Sequence, residues 1–291
     1  MKFQVGCELD YDVSTKSTCI FNIQAIENEH QQIIESNLKI DPDCDRQEYN
    51  VPYVENSYLR LTVPEGKLAI SYQATVDLHH DTEDKDNILE LAPADIPMDV
   101  IHYLYPSRYC QSDRLMKLAQ DEFGERPRVA DRRKGTLELG DCQPGYARVN
   151  AICDWIFHKV TYMSGSSDSH TSAYDTVTER AGVCRDFAHL GIALCRALNI
   201  PARFVSAYAW QLDPPDFHAC FEAYLGNRWY LFDPTRLAPV EGLVRIGTGR
   251  DAADTAFATF FGALQLNNMK VYIDRIDNDT AKLDELAVAT T

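Results

Sequence analysis

The sequence lacks several features that would assign a protein to a class at once. None of its nine cysteines forms a CxxC pair, and the odd number argues against both a zinc ribbon and a complete disulfide framework. No Asp-x-Asp-x-Asp-Gly loop is present, so the sequence predicts no calcium site of that type, no other metal ion and no cofactor. The first residues, MKFQVGCELDYDVS, contain three acids and no long apolar run, so we expect neither a signal peptide nor a membrane span, and a cytoplasmic location.

Positive charge is also scarce. The chain has 28 Lys and Arg against 44 Asp and Glu, which gives a formal net charge of -16 and a pI near 4.8. Phosphate backbones and anionic lipid headgroups would be repelled on average, so we expect neither a nucleic acid nor a membrane as partner. A peptide or protein substrate fits better, and the sequence does not indicate an oligomeric state.

The order of predicted elements indicates an α+β protein with two domains. With 291 residues and 45% hydrophobic residues, the chain is long enough for two cores. Short alternating runs predict a β-sandwich-like domain over 1–95, in which a Pro64–Gly66 turn joins two strands into a hairpin. The charged run 80–87 and the prolines after it predict a boundary before a second domain over 96–291. The alternative is one large domain in which 80–87 is a solvated loop.

The second domain is predicted to begin with helices and continue as an antiparallel sheet. Apolar residues at three- and four-residue steps predict one helix around 149–160 and a second from about Val183 to Leu198. Three strands follow, ARFVSAYAW, HACFEAYL and RWYLFDPT, the last two joined by a Gly226-Asn227 turn.

Cys184 stands where a glycine-containing turn enters the second helix. Unpaired N–H groups and the helix dipole at that position favour a thiolate, which is the nucleophilic form of cysteine. His218 begins one of the following strands and Asp233 ends its neighbour, so the two side chains are expected to meet, with Asp233 orienting the imidazole towards Cys184. The alternatives are a core cysteine, a structural histidine and an Asx-Pro turn at Asp233.

Other residues that can carry chemistry have simpler interpretations. Cys153 and Cys195 lie inside apolar helical stripes and are predicted to be core residues. His189 does not share a helix face with Cys184, which disfavours a metal ligand. Asp186 in the first helical turn and Glu222 on the His218 face of the strand are predicted to support the structure.

The segments GVCRDFAHL, HACFEAYL and WYLFDPT, in this order, resemble the motifs of the transglutaminase-like superfamily. The resemblance is strongest over 150–277 and extends to the β-rich N-terminal region. It implies a papain-like fold in which Cys184 is the nucleophile, His218 the base and Asp233 the orienting acid. The implied reaction is acyl transfer through a thioester, either to water, as in a cysteine peptidase or amidase, or to an amine, as in a transglutaminase. A non-catalytic peptide-binding module is the alternative.

Two features of the predicted site stay open. The Cys184 backbone N–H is the natural first donor to an oxyanion, and the second is undecided between a backbone amide and a side chain of the preceding segment, such as Tyr162, Trp155 or Gln143. Cys220 stands two positions after the histidine, where many relatives of this family have an aromatic residue, often tryptophan. By strand alternation it shares the His218 face, and a smaller wall there would admit water and favour hydrolysis over amine transfer.

Overall fold

The computed structural model describes residues 1–52, 54–124, 143–277 and 286–290, together with the backbone of two short paired segments. Its strands are β1 Lys2–Val13, β2 Ser17–Phe21, β3 Gln31–Asp41, β4 Asp45–Asn50, β5 Ser57–Val63, β6 Gly66–Leu78, β7 Asp81–Glu83, β8 Pro127–Arg128, β9 Glu138–Leu139, β10 Thr161–Tyr162, β11 Ala181–Gly182, β12 Ala202–Ala209, β13 Phe217–Leu225, β14 Arg228–Phe232, β15 Leu243–Gly249, β16 Ala258–Phe261, β17 Leu264–Arg275 and β18 Ala287–Ala289. Its helices are α1 Ser112–Phe123, α2 Tyr146–Lys159, α3 Ala173–Glu179 and α4 Cys184–Ala197. Within these residues, no helix is long and apolar enough to span a membrane.

The N-terminal part is a sandwich of two four-stranded sheets, in the orders β17-β1-β6-β3 and β16-β2-β5-β4. Alternate residues of β1 and β6 point inwards and are buried against those of β2 and β5, as period-two patterning requires. The predicted β-sandwich-like domain is therefore confirmed, as is the α+β class.

The predicted hairpin at Pro64–Gly66 is wrong. β5 and β6 flank this turn, but they belong to opposite sheets and do not pair with each other. The turn carries the chain across the sandwich. Alternating apolar residues are common to both arrangements, because in each case every second side chain faces the core.

The sheets cross the predicted boundary near residue 95 in both directions, and the boundary itself stays a prediction. β17, from the C-terminal part of the chain, pairs along β1, and β16 pairs with β2, so both complete the sandwich. Conversely, β7 from the N-terminal part of the chain pairs with β18 at the edge of the six-stranded sheet described below.

The second part has a six-stranded sheet in the order β15-β12-β13-β14-β18-β7, with helices packed on one face. The predicted helices are present as α2 and α4, and Gly226 and Asn227 connect β13 and β14 as a two-residue hairpin. α4 lies close to β13, because a Cβ at Gly191 would come within 2.5 Å of the Phe221 ring. This contact holds the middle of α4 close to the sheet.

Two amide side chains of the sandwich cover the β15 edge of this sheet, which lies opposite the β7 edge. Gln31 hydrogen-bonds both the N–H and the C=O of Arg245, and Asn56 does the same for Thr248. These side chains occupy positions that another strand would take beside β15, so an otherwise open sheet edge is satisfied within the chain.

Candidate active site

The start of α4 is built so that the Cys184 side chain is partly exposed. The Asp186 carboxylate, in the first turn, accepts a hydrogen bond of 2.9 Å from the Val183 N–H that precedes the helix. Asp186 is completely buried, and its side chain lies over Gly182, where a Cβ would come within 2.8 Å of it. Gly182 therefore leaves space for the Asp186 carboxylate. Because this carboxylate binds the Val183 N–H, it does not occupy the Cys184 N–H.

Arg185 connects the helix start to the polar loop between α2 and α3. Its guanidinium bonds the Asp186 carboxylate at 2.8 Å and the Asp168 carbonyl at 2.7 Å. The Tyr109 hydroxyl also donates to the Ser169 carbonyl at 2.8 Å. The loop is thus held to the scaffold beside Cys184.

The sheet brings His218 and Asp233 together in the predicted way. β13 and β14 pair with Phe221 opposite Phe232, which places Asp233 on the His218 face of the sheet. His218 Nε2 lies 2.8 Å from Asp233 Oδ2, and both side chains are almost completely buried. The pair is a short, desolvated, charge-assisted contact.

The second ring nitrogen of His218 is not used by Asp233. His218 Nδ1 is buried and has no hydrogen-bond partner among the described residues, and the Cys184 side chain lies close enough to His218 to affect its pKa. Burial would lower the His218 pKa, but the Asp233 hydrogen bond and the Cys184 side chain outweigh burial and raise it to about 10. The imidazolium is therefore the resting form of His218 at neutral pH, and it lies beside the Cys184 side chain.

Thr235 holds the other carboxylate oxygen of Asp233. Asp233 Oδ1 accepts hydrogen bonds from the Thr235 N–H at 2.9 Å and from its hydroxyl at 2.7 Å. The Asx turn and the contact with His218 exist together, because each uses a different oxygen. Sequence reasoning missed Thr235, although the DPT segment contains it.

The structure places Tyr162, of the three candidate side chains, beside Cys184. β10 pairs in parallel with β11, placing Tyr162 beside Gly182, two residues before Cys184. The Tyr162 hydroxyl lies close enough to Cys184 to interact with its backbone and side chain, and burial together with the Cys184 charge raises the Tyr162 pKa to about 12. The hydroxyl therefore stays protonated and able to donate. Trp155 packs instead on Phe123 and lies under the Arg180 guanidinium.

Cys220 does not form an open wall. It lies on the His218 face, as alternation predicts, but it is completely buried among apolar side chains that include Val205 and Leu231. Burial raises its pKa well above the usual value. The expected enlargement of the cleft at Cys220 is therefore wrong, because this part of the strand face belongs to the core.

The remaining polar candidates are structural. Glu222 is completely buried between Arg203 and Arg245, and these cations hold its pKa below the usual range although burial opposes them. The His189 Nε2 accepts a hydrogen bond from the Ala252 N–H, and burial lowers the His189 pKa to about 3. No group of three or more His, Cys, Asp and Glu residues in the described part of the chain is arranged to hold a metal ion.

Comparisons with known proteins agree with this geometry. The family description "Transglutaminase-like superfamily" matches residues 136–234, which include all three predicted site residues, and "Bacterial transglutaminase, N-terminal domain" matches 1–98. The crystal structure of a candidate cysteine protease from Cytophaga hutchinsonii is similar over 100% of this chain and 97% of that one, with 45% identity and a TM-score of 0.89. The chain belongs to the transglutaminase-like superfamily.

Two curated proteins are similar to this chain over shorter segments. An uncharacterised protein of Mycobacterium leprae is 34% identical over 120 residues, which is 37% of this chain and 42% of that protein. An uncharacterised protein of Mycobacterium tuberculosis is 33% identical over 114 residues, 34% of this chain and 36% of that protein. The match thus spans less than half the length of these relatives.

Proposed function

We propose that this transglutaminase-like protein is a cysteine peptidase or amidase that hydrolyses a peptide or amide bond of a peptide or protein through a thioester on Cys184. The observation that carries the proposal is the line of contacts from Cys184 through His218 to Asp233, which begins at a partly exposed helix start. The similar protein from Cytophaga hutchinsonii is described as a candidate cysteine protease, which supports hydrolysis.

Each residue has a defined step in this reaction. The Cys184 thiolate attacks the carbonyl carbon, and the new oxyanion accepts hydrogen bonds from the Cys184 N–H and the Tyr162 hydroxyl. The His218 imidazolium gives its proton to the leaving amine as the C–N bond breaks. Neutral His218 then takes a proton from the water that attacks the thioester, which releases the carboxylic acid and restores the Cys184 thiolate beside the His218 imidazolium. Asp233 keeps the imidazole in the required tautomer and orientation.

At about pH 6, Cys184 is expected to react with iodoacetamide faster than the other thiols of the protein, because the raised pKa of His218 keeps the imidazolium formed. Cys44 is the matched comparison, because it is also partly exposed but burial and the adjacent acids raise its pKa. Labelling should be quantified by mass spectrometry for each thiol. Cys142 lies outside the described residues and is followed in the same digest.

The His218→Ala variant should lose most of this low-pH reactivity while Cys44 keeps its own. Preferential labelling of Cys153 or Cys195 in the wild-type protein would refute the assignment, because both are buried and burial raises the pKa of each.

Tyr162→Phe is expected to lower kcat by about 10²- to 10³-fold with little change in KM, because a donor to the oxyanion acts mainly in the transition state. Trp155→Phe, on the preceding helix, is the matched control and should have a small effect. A rise in KM with unchanged kcat would instead indicate that Tyr162 contacts the substrate in the ground state.

Amine transfer is a second candidate reaction, favoured by Asp216. This carboxylate precedes His218 by two residues and interacts electrostatically with both His218 and Tyr162. Burial raises its pKa, although its own contact with the Phe217 N–H and the His218 charge act in the opposite direction. A carboxylate in this place is suited to hold an incoming ammonium group beside the thioester.

Hydrolysis is expected to exceed amine transfer when a glutamine-containing protein and an excess of a labelled primary amine are supplied. The readouts are released acid and ammonia against label incorporated in a Cys184-dependent way. Incorporation that outruns hydrolysis would make the protein a transferase. Asp216→Asn then separates the two roles, since it should raise the KM for the amine and leave hydrolysis nearly unchanged.

A further inference from the structure

A polar cavity separate from the Cys184 site lies on the far side of the sheet from α4, between the sandwich and the second part of the chain. Its volume is about 300 Å³, at the lower end of the range of small-molecule sites. The lining residues come from two sandwich loops, from β12 and β15, and from the residue after β18; they are Asn28, Glu29, Val54, Glu55, Arg203, Arg245, Thr248 and Thr290. None of them takes part in the proposed reaction.

The inner wall carries a buried excess of positive charge. The Arg203 and Arg245 side chains are each 9% exposed, and both pair with the same carboxylate, Glu222. Thr290 donates a third hydrogen bond to Glu222 at 2.6 Å, so this carboxylate is already shared among three donors. Nearby His80 adds no charge at neutral pH, because burial and Arg245 lower its pKa to about 3. Two cations therefore share one anion in a desolvated place, which is costly unless another anion binds.

Donors of these arginines face the cavity without a partner in the described part of the chain. Arg203 uses Nε for Glu222 at 2.5 Å, and its Nη atoms have no acceptor among the described residues. Arg245 likewise reaches Glu222 through Nη2 alone. The Arg203 guanidinium is fixed against the Trp229 ring, with 4.2 Å to its centroid, so its free edge is held in one orientation. A planar fork in this arrangement matches a carboxylate.

The outer wall has the opposite charge. Glu29 and Glu55 line the same cavity but are exposed, which places them at its opening. They would repel a dianion such as phosphate and would accept a hydrogen bond from an ammonium group. The cavity thus presents cations inside and anions outside.

We propose that this cavity binds a small zwitterion of the amino-acid type, with the carboxylate on Arg203 and Arg245 and the ammonium group near Glu29 and Glu55. The site is independent of the proposed function, because it shares no residue with the Cys184 site. Its Glu222 and the His218 of the Cys184 site nevertheless lie on one face of β13, so the ligand and the reacting residues are supported by the same strand.

Isothermal titration calorimetry of the full chain with glycine, acetate, methylamine and inorganic phosphate tests this proposal. Glycine should bind saturably, acetate more weakly, and methylamine and phosphate weakest. Arg203→Lys, which keeps the charge but not the fork, should weaken glycine binding by about tenfold or more. Arg46→Lys, on the exposed strand β4, is the control and should leave the affinity unchanged.

Glu55→Gln decides the outcome if Arg203→Lys does not fold, since Glu55 is exposed. This variant should weaken glycine binding and bring the affinities of glycine and acetate together. Absence of saturable binding by glycine and acetate would overturn the site. Phosphate binding more tightly than acetate, equal affinities for glycine and acetate in the wild-type protein, or glycine binding that Arg203→Lys does not change would overturn the zwitterion assignment.

Discussion

Cys184→Ala is expected to lower kcat/KM by roughly 10⁵-fold or more, because removal of the nucleophile leaves only binding and oxyanion stabilisation. His218→Ala should cost a similar factor, since without it the thiol has neither its imidazolium partner nor a proton donor for the leaving amine. The residues act as one unit, so the double variant should be no slower than either single one.

The control for these variants is Cys44→Ser, which removes the other partly exposed thiol that the structure describes and should keep full activity. Circular dichroism and thermal unfolding must first establish that each variant is folded. A Cys184→Ala protein that still turned over substrate at the wild-type rate would place the nucleophile elsewhere. Additive losses in the double variant would mean that His218 and Cys184 do not act in one reaction sequence.

The residues of the predicted site were recognisable because each stands at the end of an element. Cys184 lies two residues after Gly182 and begins α4, whereas His218 and Asp233 lie near the ends of two strands joined by a two-residue hairpin. Local patterns fix such positions, because hairpin register follows from turn length. The strand pair then brings distant side chains into contact without further information.

Tyr162 could not be assigned in the same way. Its hydroxyl reaches Cys184 because the two-residue strands β10 and β11 pair in parallel. A strand of two residues is too short to show a hydrophobic period in the sequence. The side chains Tyr162, Trp155 and Gln143 could therefore not be distinguished as donors. The same reason explains β17, whose alternating residues predict a strand but do not reveal that its partner is β1 at the other end of the chain.

Cys220 illustrates a different limit. Alternation correctly predicts that it shares a face with His218, but alternation does not say what covers that face. The loops after β14 and the strand β18 contribute Ala238 and Val288 to the cluster over Cys220, and both come from distant parts of the chain. A Cys220→Trp substitution would therefore overpack a core instead of lining a cleft.

Asp233→Asn is expected to lower kcat by about 10⁴-fold, by analogy with the loss of the orienting acid in Ser-His-Asp enzymes. Asp233 accepts from His218 through one oxygen and from Thr235 through the other. Asparagine has only one acceptor oxygen, so one of these contacts is lost, and the imidazole loses its charge partner. Thr235→Val should give a smaller loss of about 10- to 100-fold, because it loosens Asp233 without removing the carboxylate.

The Asp233→Asn substitution should also change how the stability of the folded protein depends on pH. Burial opposes protonation of His218, but Asp233 and Cys184 raise the His218 pKa in the folded protein to about 10, above the 6.5 of the free side chain. Stabilisation from the charged pair is therefore complete below about pH 6.5 and is lost as the pH rises towards 10, at roughly 1.4 kcal/mol for each unit of pKa difference. Urea unfolding should be compared for Cys184→Ala and Cys184→Ala/Asp233→Asn at several pH values. Because Cys184 also raises the His218 pKa, its removal should leave that pKa below 10 and end the window at a lower pH. The single variant should be the more stable near pH 6, and its advantage should shrink at alkaline pH. Parallel curves would show that His218 and Asp233 do not share a proton-linked contact, and the orienting role of Asp233 would then have no electrostatic basis.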